Sequence, residues 1–352
     1  MSAGLLAAPA AVSAADYAGK QVTIIVPFDE GSSANRIARL FSPFFTKYLP
    51  GKPVILVRNM PGGGSVRGSN HFQKAAKPDG LTSIVVSTST QTSYLLGGKK
   101  IQYDLLAWEY VLTMPLGSVF YVNPKTGVKG KNVAEDIKTL RNLPTFTLGA
   151  KSPTSSDLRA FLAYELLGVK NIKAVFGLSA GKRRKALLRG ELDGNLDSGG
   201  AYIKGVEKYA KAGKVVPLMT LGYTQKGKIV RDPAFPQMPT IIDVYKAMHG
   251  GKEPSGLLFD VYKSFYGMSV MTNKSFALPA KTPKDVLDSY LEAAEKTLKD
   301  EAFLKIAKKQ LGAYPVILGD ESKQAVKDAI DVSPEVKTFM KTFIKEKFNI
   351  NI

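Results

Sequence analysis

A chain of 352 residues, of which 44% are hydrophobic and 22% charged, is long enough for two globular domains with buried cores. It contains no cysteine, which excludes disulfide bridges, thiolate zinc sites and cysteine nucleophiles. Because 49 Lys and Arg residues outnumber 30 Asp and Glu residues, the formal charge is +19 and the chain attracts anions.

The first residues have the composition of a targeting segment. Ala3 to Ala15 are mostly small and apolar, and Val12-Ser13-Ala14 offers the small side chains that signal peptidase accepts, so cleavage after Ala14 or Ala15 is predicted. The basic residues that usually open a signal peptide are missing, which leaves an alanine-rich disordered tail as the alternative. We expect residues 1–15 to be one of these and the mature protein to be exported. No stretch of the sequence is long and apolar enough to span a bilayer.

Strand and helix patterns alternate after this leader. The apolar, β-branched run Gln21 to Phe28 is typical of a buried parallel strand, and Val54 to Arg58 and Ser83 to Thr88 predict two more. Helical spacing lies between them, with a kink or a restart expected at Pro43 and a second helix ending near Ala76. This order predicts a parallel sheet whose turns gather at one edge.

A second series of elements follows in the middle of the chain. Its predicted elements are strand Thr145–Gly149, helix Ser156–Leu167, strand Lys173–Phe176, helix Gly181–Arg189 and a strand near Leu192–Asp197. The last third is mainly helical, with a strand expected at Tyr266–Met271. Thr282-Pro283 and Ser333-Pro334 each predict a helix start with a capping residue followed by proline.

Sequence signatures of catalysis are weak. The two histidines, His71 and His249, are far apart, and no G-x-S-x-G, H-E-x-x-H or Walker pattern occurs. The densest basic cluster, Lys182 to Lys185, opens an amphipathic helix and lacks the aromatic residues typical of single-strand binders, so we interpret it as a solvated surface. We therefore expect no enzymatic activity, no metal or other cofactor and no nucleic-acid partner.

Four turns between strands and helices are rich in glycine and small hydroxyl residues. They are Phe28–Asn35, Pro61–Ser65, Ser87–Gln91 and Gly149–Asp157. Backbone N–H groups of Gly62-Gly63-Gly64 and the helix that follows could hold an anion, although a tight turn without a ligand is the alternative for this loop taken alone. Together the four turns predict a cleft lined with hydrogen-bond donors, which suits a small anionic ligand.

Eight short motifs occur in an order that is similar to one known family. They are Val22–Asn35, Val57–Gly64, Lys77–Thr82, Tyr103–Leu105, Leu192–Asp197, Ala212–Leu218, Phe235–Thr240 and Ala280–Val286. In this order they resemble the periplasmic receptors of tripartite tricarboxylate transporters, the TctC or Bug family. The resemblance covers the chain from about Tyr17 to Tyr314.

The resemblance implies an α/β, two-lobed periplasmic binding protein type II fold. Each lobe would be a mainly parallel sheet flanked by helices, with the ligand cleft between the lobes. The expected division is residues 16–115 plus 225–352 for the first lobe and 116–224 for the second. The chain would cross between lobes near Leu112–Tyr121 and return near Leu218–Tyr223.

The resemblance also implies a function. We expect a monomeric receptor in the periplasm of a Gram-negative bacterium, which binds a small mono-, di- or aromatic carboxylate for the membrane subunits of such a transporter. The expected ligand-binding residues are Phe28, Gly31, Ser32, Ser33, Asn35, Gly62, Gly63, Gly64, Ser87, Thr88, Ser89, Thr90, Ser155, Ser156 and Asp197. Asn35 stands where the family often has Asp, which should weaken a preference for cationic ligands. Tyr94 and Tyr202 could flank an aromatic acid or pack in the core.

Three other functions are weighed against this one. An anion receptor of an ABC transporter would share fold and compartment, so only the ordered motifs separate the two. An α/β enzyme could use Gly62 to Gly64 for a nucleotide phosphate, although the loop fits a dinucleotide motif only loosely. A nucleic-acid binder would suit the net charge, but the export leader argues against it.

Overall fold

Two β-sheets, each flanked by helices, form the framework of the chain in a computed structural model. The structure describes residues 15–226, 228–310 and 314–352. The leader predicted at residues 1–15 lies outside the described residues except for Ala15. Among the helices that are described, none is both long enough and apolar enough to cross a membrane.

Strands and helices alternate along the chain as the sequence predicts. The first elements are β1 (Gln21–Val26), α1 (Ser33–Tyr48), β2 (Val54–Asn59), α2 (Val66–Ala75), β3 (Thr82–Ser87), α3 (Thr88–Leu96), β4 (Glu109–Met114), β5 (Ser118–Val122), α4 (Val133–Arg141), β6 (Phe146–Gly149), α5 (Leu158–Leu166), β7 (Ile172–Val175), α6 (Ala180–Leu188), β8 (Gly194–Ser198), α7 (Gly199–Gly205), α8 (Glu207–Lys211) and β9 (Val216–Thr220). They are followed by β10 (Tyr223–Gln225), β11 (Lys228–Val230), α9 (Ile241–Met248), α10 (Leu257–Tyr266), β12 (Lys274–Leu278), α11 (Lys284–Lys299), α12 (Glu301–Gln310), β13 (Ile317–Leu318), α13 (Gly319–Ile330) and α14 (Pro334–Phe348).

The two sheets have a similar arrangement of parallel and antiparallel strands. The six-stranded sheet has the order β13-β4-β12-β3-β1-β2, with β1 parallel to β2 and β3 and with β12 antiparallel to β3 and β4. The five-stranded sheet has the order β7-β6-β8-β5-β9, with β6 parallel to β7 and β8 and with β5 antiparallel to β8 and β9. Because the parallel strands of each sheet end at one edge, their turns meet there. The predicted α/β class with one sheet per lobe is confirmed. The expectation that each sheet is mainly parallel is wrong, because β12 and β4 in the first sheet and β5 in the second form only antiparallel pairs, so both sheets are mixed.

The chain passes from one sheet to the other between β4 and β5 and rejoins the first sheet at β12. Several late helices pack on the second sheet, since Ile241 of α9, Tyr262 of α10 and Phe343 of α14 share one buried cluster with Leu148 of β6. The division of the chain into residues 16–115 plus 225–352 and residues 116–224 stays a prediction.

Three local expectations can be compared directly with the structure. Ser333 caps α14 as predicted, because its hydroxyl accepts from the Val336 N–H at 3.2 Å. Of the kink or restart expected at Pro43, the restart is wrong, since α1 runs through this residue without interruption. The expected start at Thr282-Pro283 is shifted by one residue: α11 begins at Lys284, and the Thr282 hydroxyl donates to the Pro279 carbonyl instead.

The predicted strand Tyr266–Met271 is also wrong. Tyr266 ends α10, and Gly267–Met271 is a turn of π-helix that continues it. The strand follows it as β12, three residues later. This turn packs inside the molecule, so its apolar composition reflects burial and not a strand.

Gly117 occupies a crowded position in the β4–β5 crossing. A Cβ atom added there would overlap Oδ2 of the buried Asp232 and come within 2.5 Å of the Tyr314 hydroxyl oxygen. The Tyr314 hydroxyl donates to the other oxygen of Asp232, so neither group can move freely. We expect Gly117→Ala to lower the free energy of unfolding by about 1–3 kcal/mol, measured by urea denaturation.

The control for this variant is Gly267→Ala. A Cβ at Gly267 meets nothing within 4 Å, so its stability should stay close to that of the unmodified protein. Equal stability of both variants would contradict tight packing at the crossing.

Candidate functional site

A cavity of about 440 Å³ lies between the two lobes. The turns after β1, β2 and β3 line it from the first lobe, and the turn after β6, the start of α6 and the end of β8 line it from the second. The turns that the sequence predicted as cleft-forming therefore surround one space.

Most of the predicted ligand-binding residues lie on this cavity. Those that line it are Phe28, Gly31, Ser32, Ser33, Gly62, Gly63, Gly64, Ser87, Thr88, Ser89, Ser156 and Asp197. Asn35, Thr90 and Ser155 do not line it, because their side chains serve the local backbone. The Asn35 amide donates to the Glu30 carbonyl at 2.6 Å, the Thr90 hydroxyl accepts from the Ser87 N–H, and the Ser155 hydroxyl donates to the Ser152 carbonyl. Binding roles for all fifteen stay predictions.

Helix starts and glycines shape the first-lobe wall. Ser32 caps α1 and Ser87 caps α3, so the N-terminal turns of both helices face the cavity. Gly62, Gly63 and Gly64 have φ values of 144°, 58° and 74°, which residues other than glycine rarely adopt. The loop can therefore bring its backbone N–H groups close to a ligand.

The two lobes touch beside the cavity. The Ser89 hydroxyl donates to Ser156 Oγ at 2.9 Å, and the Ser156 N–H donates to Ser89 Oγ at 3.0 Å. The Ser93 hydroxyl donates to the Thr154 carbonyl at 3.2 Å. These contacts between the start of α3 and the turn before α5 join the two lobes beside the cavity.

Cationic side chains line the cavity, and the sequence analysis missed their role. Buried or half-buried cations are Lys151, Arg159, Arg183, Arg184 and Lys274, against the two buried acids Asp157 and Asp197. If all are ionised, the wall carries an excess of three positive charges. A cavity of this charge suits an anion.

Two of these cations correct the interpretation of the basic cluster Lys182 to Lys185 as a solvated surface. Only 4% of the Arg183 side chain and 19% of the Arg184 side chain are exposed. Lys182 and Lys185 are exposed, as expected of a helix surface. The surface interpretation is therefore wrong for the two arginines, which the first turns of α6 direct to the cavity wall.

Asp157 holds two cations in place. Its Oδ2 lies 2.8 Å from Lys151 Nζ and 2.6 Å from Arg183 Nη1. Burial raises the pKa of this carboxyl, but the charges of Arg183 and Lys151 outweigh burial and hold the pKa well below its usual range. Burial lowers the pKa of Lys151 to about 8, although Asp157 partly opposes this.

Asp197 is engaged by its own lobe. Its Oδ2 accepts from the Tyr121 hydroxyl at 2.8 Å and lies 3.0 Å from Arg184 Nε. Asn195 in turn donates to the Tyr121 oxygen at 2.7 Å. The carboxylate therefore fixes Arg184 at the cavity wall, and a direct contact between Asp197 and ligand stays a prediction.

Several arginine donors remain unused. Arg159 Nε, Arg183 Nε and Arg184 Nη2 are buried and have no hydrogen-bond partner among the groups that the structure describes. A buried donor without a partner costs about 1–3 kcal/mol, so oxygen atoms of a ligand would relieve this cost. The described ranges contain no cluster of three His, Cys, Asp or Glu residues that could hold a metal ion.

Tyr94 and Tyr202 do not line the cavity. The Tyr94 hydroxyl donates to Asp104 Oδ1 at 2.8 Å, away from the cleft. Tyr202 is buried between Tyr121 and Phe235. Both residues therefore act in packing, and the aromatic-acid interpretation of these two residues has no support.

No family model matches the chain, and no curated protein matches it. Solved structures do match. BugD, a periplasmic binding protein, has a TM-score of 0.68 and 20% identity, with 93% of this chain and 97% of BugD covered. MatC from Rhodopseudomonas palustris, solved with bound malate, has a TM-score of 0.68 and 19% identity over 91% of this chain and 98% of MatC. The R. palustris protein Rpa4515, solved with adipate, has a TM-score of 0.68 and 17% identity over 94% of this chain and 98% of that protein.

These matches identify the fold. The chain is a two-lobed α/β protein with the architecture of periplasmic binding proteins. The resemblance to the TctC or Bug family that the ordered motifs predict is confirmed at the level of the fold.

Proposed function

We propose that this chain is an extracytoplasmic solute-binding receptor that captures a small organic carboxylate and performs no chemistry on it. The observation that carries this proposal is the interlobe cavity, which combines helix N-termini, hydroxyls and an excess of buried cations. MatC with malate and Rpa4515 with adipate support the ligand class, because both share the fold.

Binding would use two kinds of group. The N-terminal turns of α1, α3 and α6 supply backbone N–H groups and the positive ends of helix dipoles to a carboxylate. The guanidinium groups of Arg183 and Arg184 can each form paired hydrogen bonds with two oxygens of one carboxylate. A ligand held from both lobes favours the closed arrangement over an open one, because only the closed form makes both sets of contacts.

The proposed location and partners follow from the same fold. The receptor would act as a monomer in the periplasm of a Gram-negative bacterium and deliver its ligand to the membrane subunits of a tripartite tricarboxylate-type transporter. The periplasmic proteins of similar structure support this assignment, and so does the export leader that the sequence predicts at residues 1–15.

A thermal-shift screen tests the receptor function. The panel contains citrate, malate, adipate, glutamate, benzoate and terephthalate, and each acid is paired with its neutral amide as a control. A ligand at about 100 times its Kd adds about 2.7 kcal/mol of stability, so the Tm should rise with an acid and not with its amide. If no acid raises the Tm, and mass spectrometry of the denatured protein finds no retained ligand, the proposal is wrong.

An anion receptor of an ABC transporter is the second candidate, and the arginine-rich wall favours it. Arginine pairs with the oxygens of phosphate and sulfate as readily as with carboxylate. Adding phosphate, sulfate and methylphosphonate to the same panel separates the two, because a tetrahedral anion that outcompetes every carboxylate would favour this candidate. A Tm rise with a nucleotide or a steeply salt-dependent affinity for DNA would instead favour the α/β enzyme or the nucleic-acid binder.

A further inference from the structure

We propose that the ligand carries at least two negative charges and closes the cleft by pairing with Lys274 of the first lobe and Arg159 of the second. The inference rests on the proposed receptor function and narrows its ligand class. It follows from the places of these two cations, which are buried and form no ion pair with an acid among the residues that the structure describes.

Lys274 lies on the cavity wall at the start of β12 and is only 6% exposed. Its Nζ donates to the carbonyl oxygen of Asn273 at 3.0 Å and to the side-chain oxygen of the same residue. Both acceptors are uncharged. In the part of the chain that the structure describes, its ammonium group forms no ion pair with an acid.

Among the described residues, the charges that lower the pKa of Lys274 are all cationic. Arg159 and Lys151 face it from the second lobe, and Arg36 of α1 faces it from its own lobe. Burial first, and then these three charges, hold the pKa of Lys274 well below its usual range. The empty cleft therefore places like charges near one another at buried positions.

Arg159 is the matching cation on the opposite lobe. Its Nη1 donates to the Ser269 carbonyl at 3.4 Å, and its Nε has no partner among the described residues. Burial lowers the pKa of this guanidinium to about 10, while Asp157 partly opposes the effect. Asp157 is already shared by Lys151 and Arg183, so it cannot neutralise Arg159 as well.

The charge of the ligand follows from these pairings. Asp197 compensates Arg184, and Asp157 compensates only one of its two partners, so three formal positive charges stay uncompensated at the wall. A ligand with one negative charge leaves Lys274 or Arg159 buried without compensation. A ligand with two or three negative charges satisfies both, and polycarboxylates and phosphorylated acids share this property.

Proton uptake is a second consequence. A negative ligand beside Lys274 raises the pKa of its amine, so binding takes up a proton wherever the pH lies between the pKa of the empty site and that of the filled one. The sign is fixed: affinity is highest at the acidic end of this window and falls as the pH rises through it. Because Lys151 titrates near pH 8, a Lys274 variant is needed to separate the two lysines.

Calorimetric binding measurements at pH 8 test the inference. The ligands are malate, adipate and citrate, each compared with a monoamide of equal size and one charge fewer. Phosphonoacetate is added as a probe that carries a tetrahedral phosphorus oxyanion beside its carboxylate. Titrations in two cationic buffers of different protonation enthalpy report the number of protons taken up. We expect a dicarboxylate to bind about 100-fold more tightly than its monoamide, because the monoamide leaves one buried positive charge of the cavity uncompensated.

The test variant is Lys274→Met and its control is Lys77→Met, which removes an exposed lysine of the same lobe. Lys274→Met replaces a buried cation with an apolar chain, so it should fold with unchanged or higher Tm. We expect it to remove the preference for the dicarboxylate and to reduce proton uptake, whereas Lys77→Met should change neither quantity.

The possible results separate the inference from the function on which it rests. Tighter binding of phosphonoacetate than of any carboxylate would support the charge requirement and indicate a ligand that carries a phosphorus oxyanion. If a monoamide binds as tightly as its dicarboxylate, or if Lys274→Met leaves affinity and proton uptake unchanged, the inference is overturned although the receptor function stands. If no anion binds to the unmodified protein, the proposed function itself fails.

Discussion

Replacing Asp157 with Asn is expected to lower the free energy of unfolding by about 3–5 kcal/mol, the largest stability loss of any single change at the site. Only 5% of the Asp157 side chain is exposed, and it is the ion-pair partner of both Lys151 and Arg183. The amide has nearly the same size, but it leaves two buried cations without a counterion. Urea denaturation of the ligand-free protein at pH 7 measures the loss.

The pH dependence of this loss has a definite sign. Because the folded-state pKa of Asp157 is lowered, its ionised form stabilises the protein above the unfolded-state pKa of about 3.9, and this stabilisation is lost as the pH falls toward the folded-state value. The difference in the free energy of unfolding between the unmodified protein and Asp157→Asn should therefore have its full value at pH 7 and shrink below about pH 4.

Glu135→Gln is the matched control for Asp157→Asn. Glu135 pairs with Lys138 at 2.8 Å, but 62% of its side chain is exposed, so removing its charge should cost about 0.5 kcal/mol or less. A comparable loss in the two variants would contradict the buried role of Asp157. A saturating anionic ligand should restore part of the stability of Asp157→Asn, since it supplies the missing counterion.

The sheets and turns could be predicted because they depend on local pattern. The β-branched run that contains β1 and the glycines at positions 62 to 64 dictate a buried strand and a turn in any context. Three predicted ligand residues failed to reach the cavity for an equally local reason. Amides and hydroxyls at helix starts, such as Asn35 and Thr90, satisfy backbone groups as well as they would satisfy a ligand.

The cations could not be placed in the same way, because hydrophobic periodicity shows which residues are buried but not which of them face an internal cavity. Arg183 and Arg184 occupy helix positions that also occur on ordinary solvated surfaces. Lys274 lies outside the strand predicted at Tyr266–Met271, so the sequence analysis did not place it at the start of a strand, where β12 begins. Arg159 gave one usable signal, since it is a lone charge between apolar residues at the start of α5, where a buried cation requires a partner or a ligand.

Arg184→Met is expected to weaken binding of the best carboxylate more than any other single change on α6. Arg184 lines the cavity, its Nε is held by Asp197 at 3.0 Å, and its Nη2 is buried without a partner among the described groups. Truncating one member of a buried charge pair, here the pair that Arg184 would form with the ligand carboxylate, costs about 2–5 kcal/mol, or roughly 30-fold to several thousand-fold in Kd. Calorimetric titration at pH 7 measures the change.

Lys185→Met provides a control on the same helix, because it removes the same charge from the next residue, whose side chain is exposed. Its effect on Kd should stay within about threefold and vanish at high salt, since only long-range attraction is lost. Arg184→Lys separates charge from geometry: it keeps the cation but loses the paired N–H donors, so its Kd should lie between those of the unmodified protein and Arg184→Met. Equal losses in Arg184→Met and Lys185→Met would show that the net charge of α6, and not a contact from Arg184, governs anion binding.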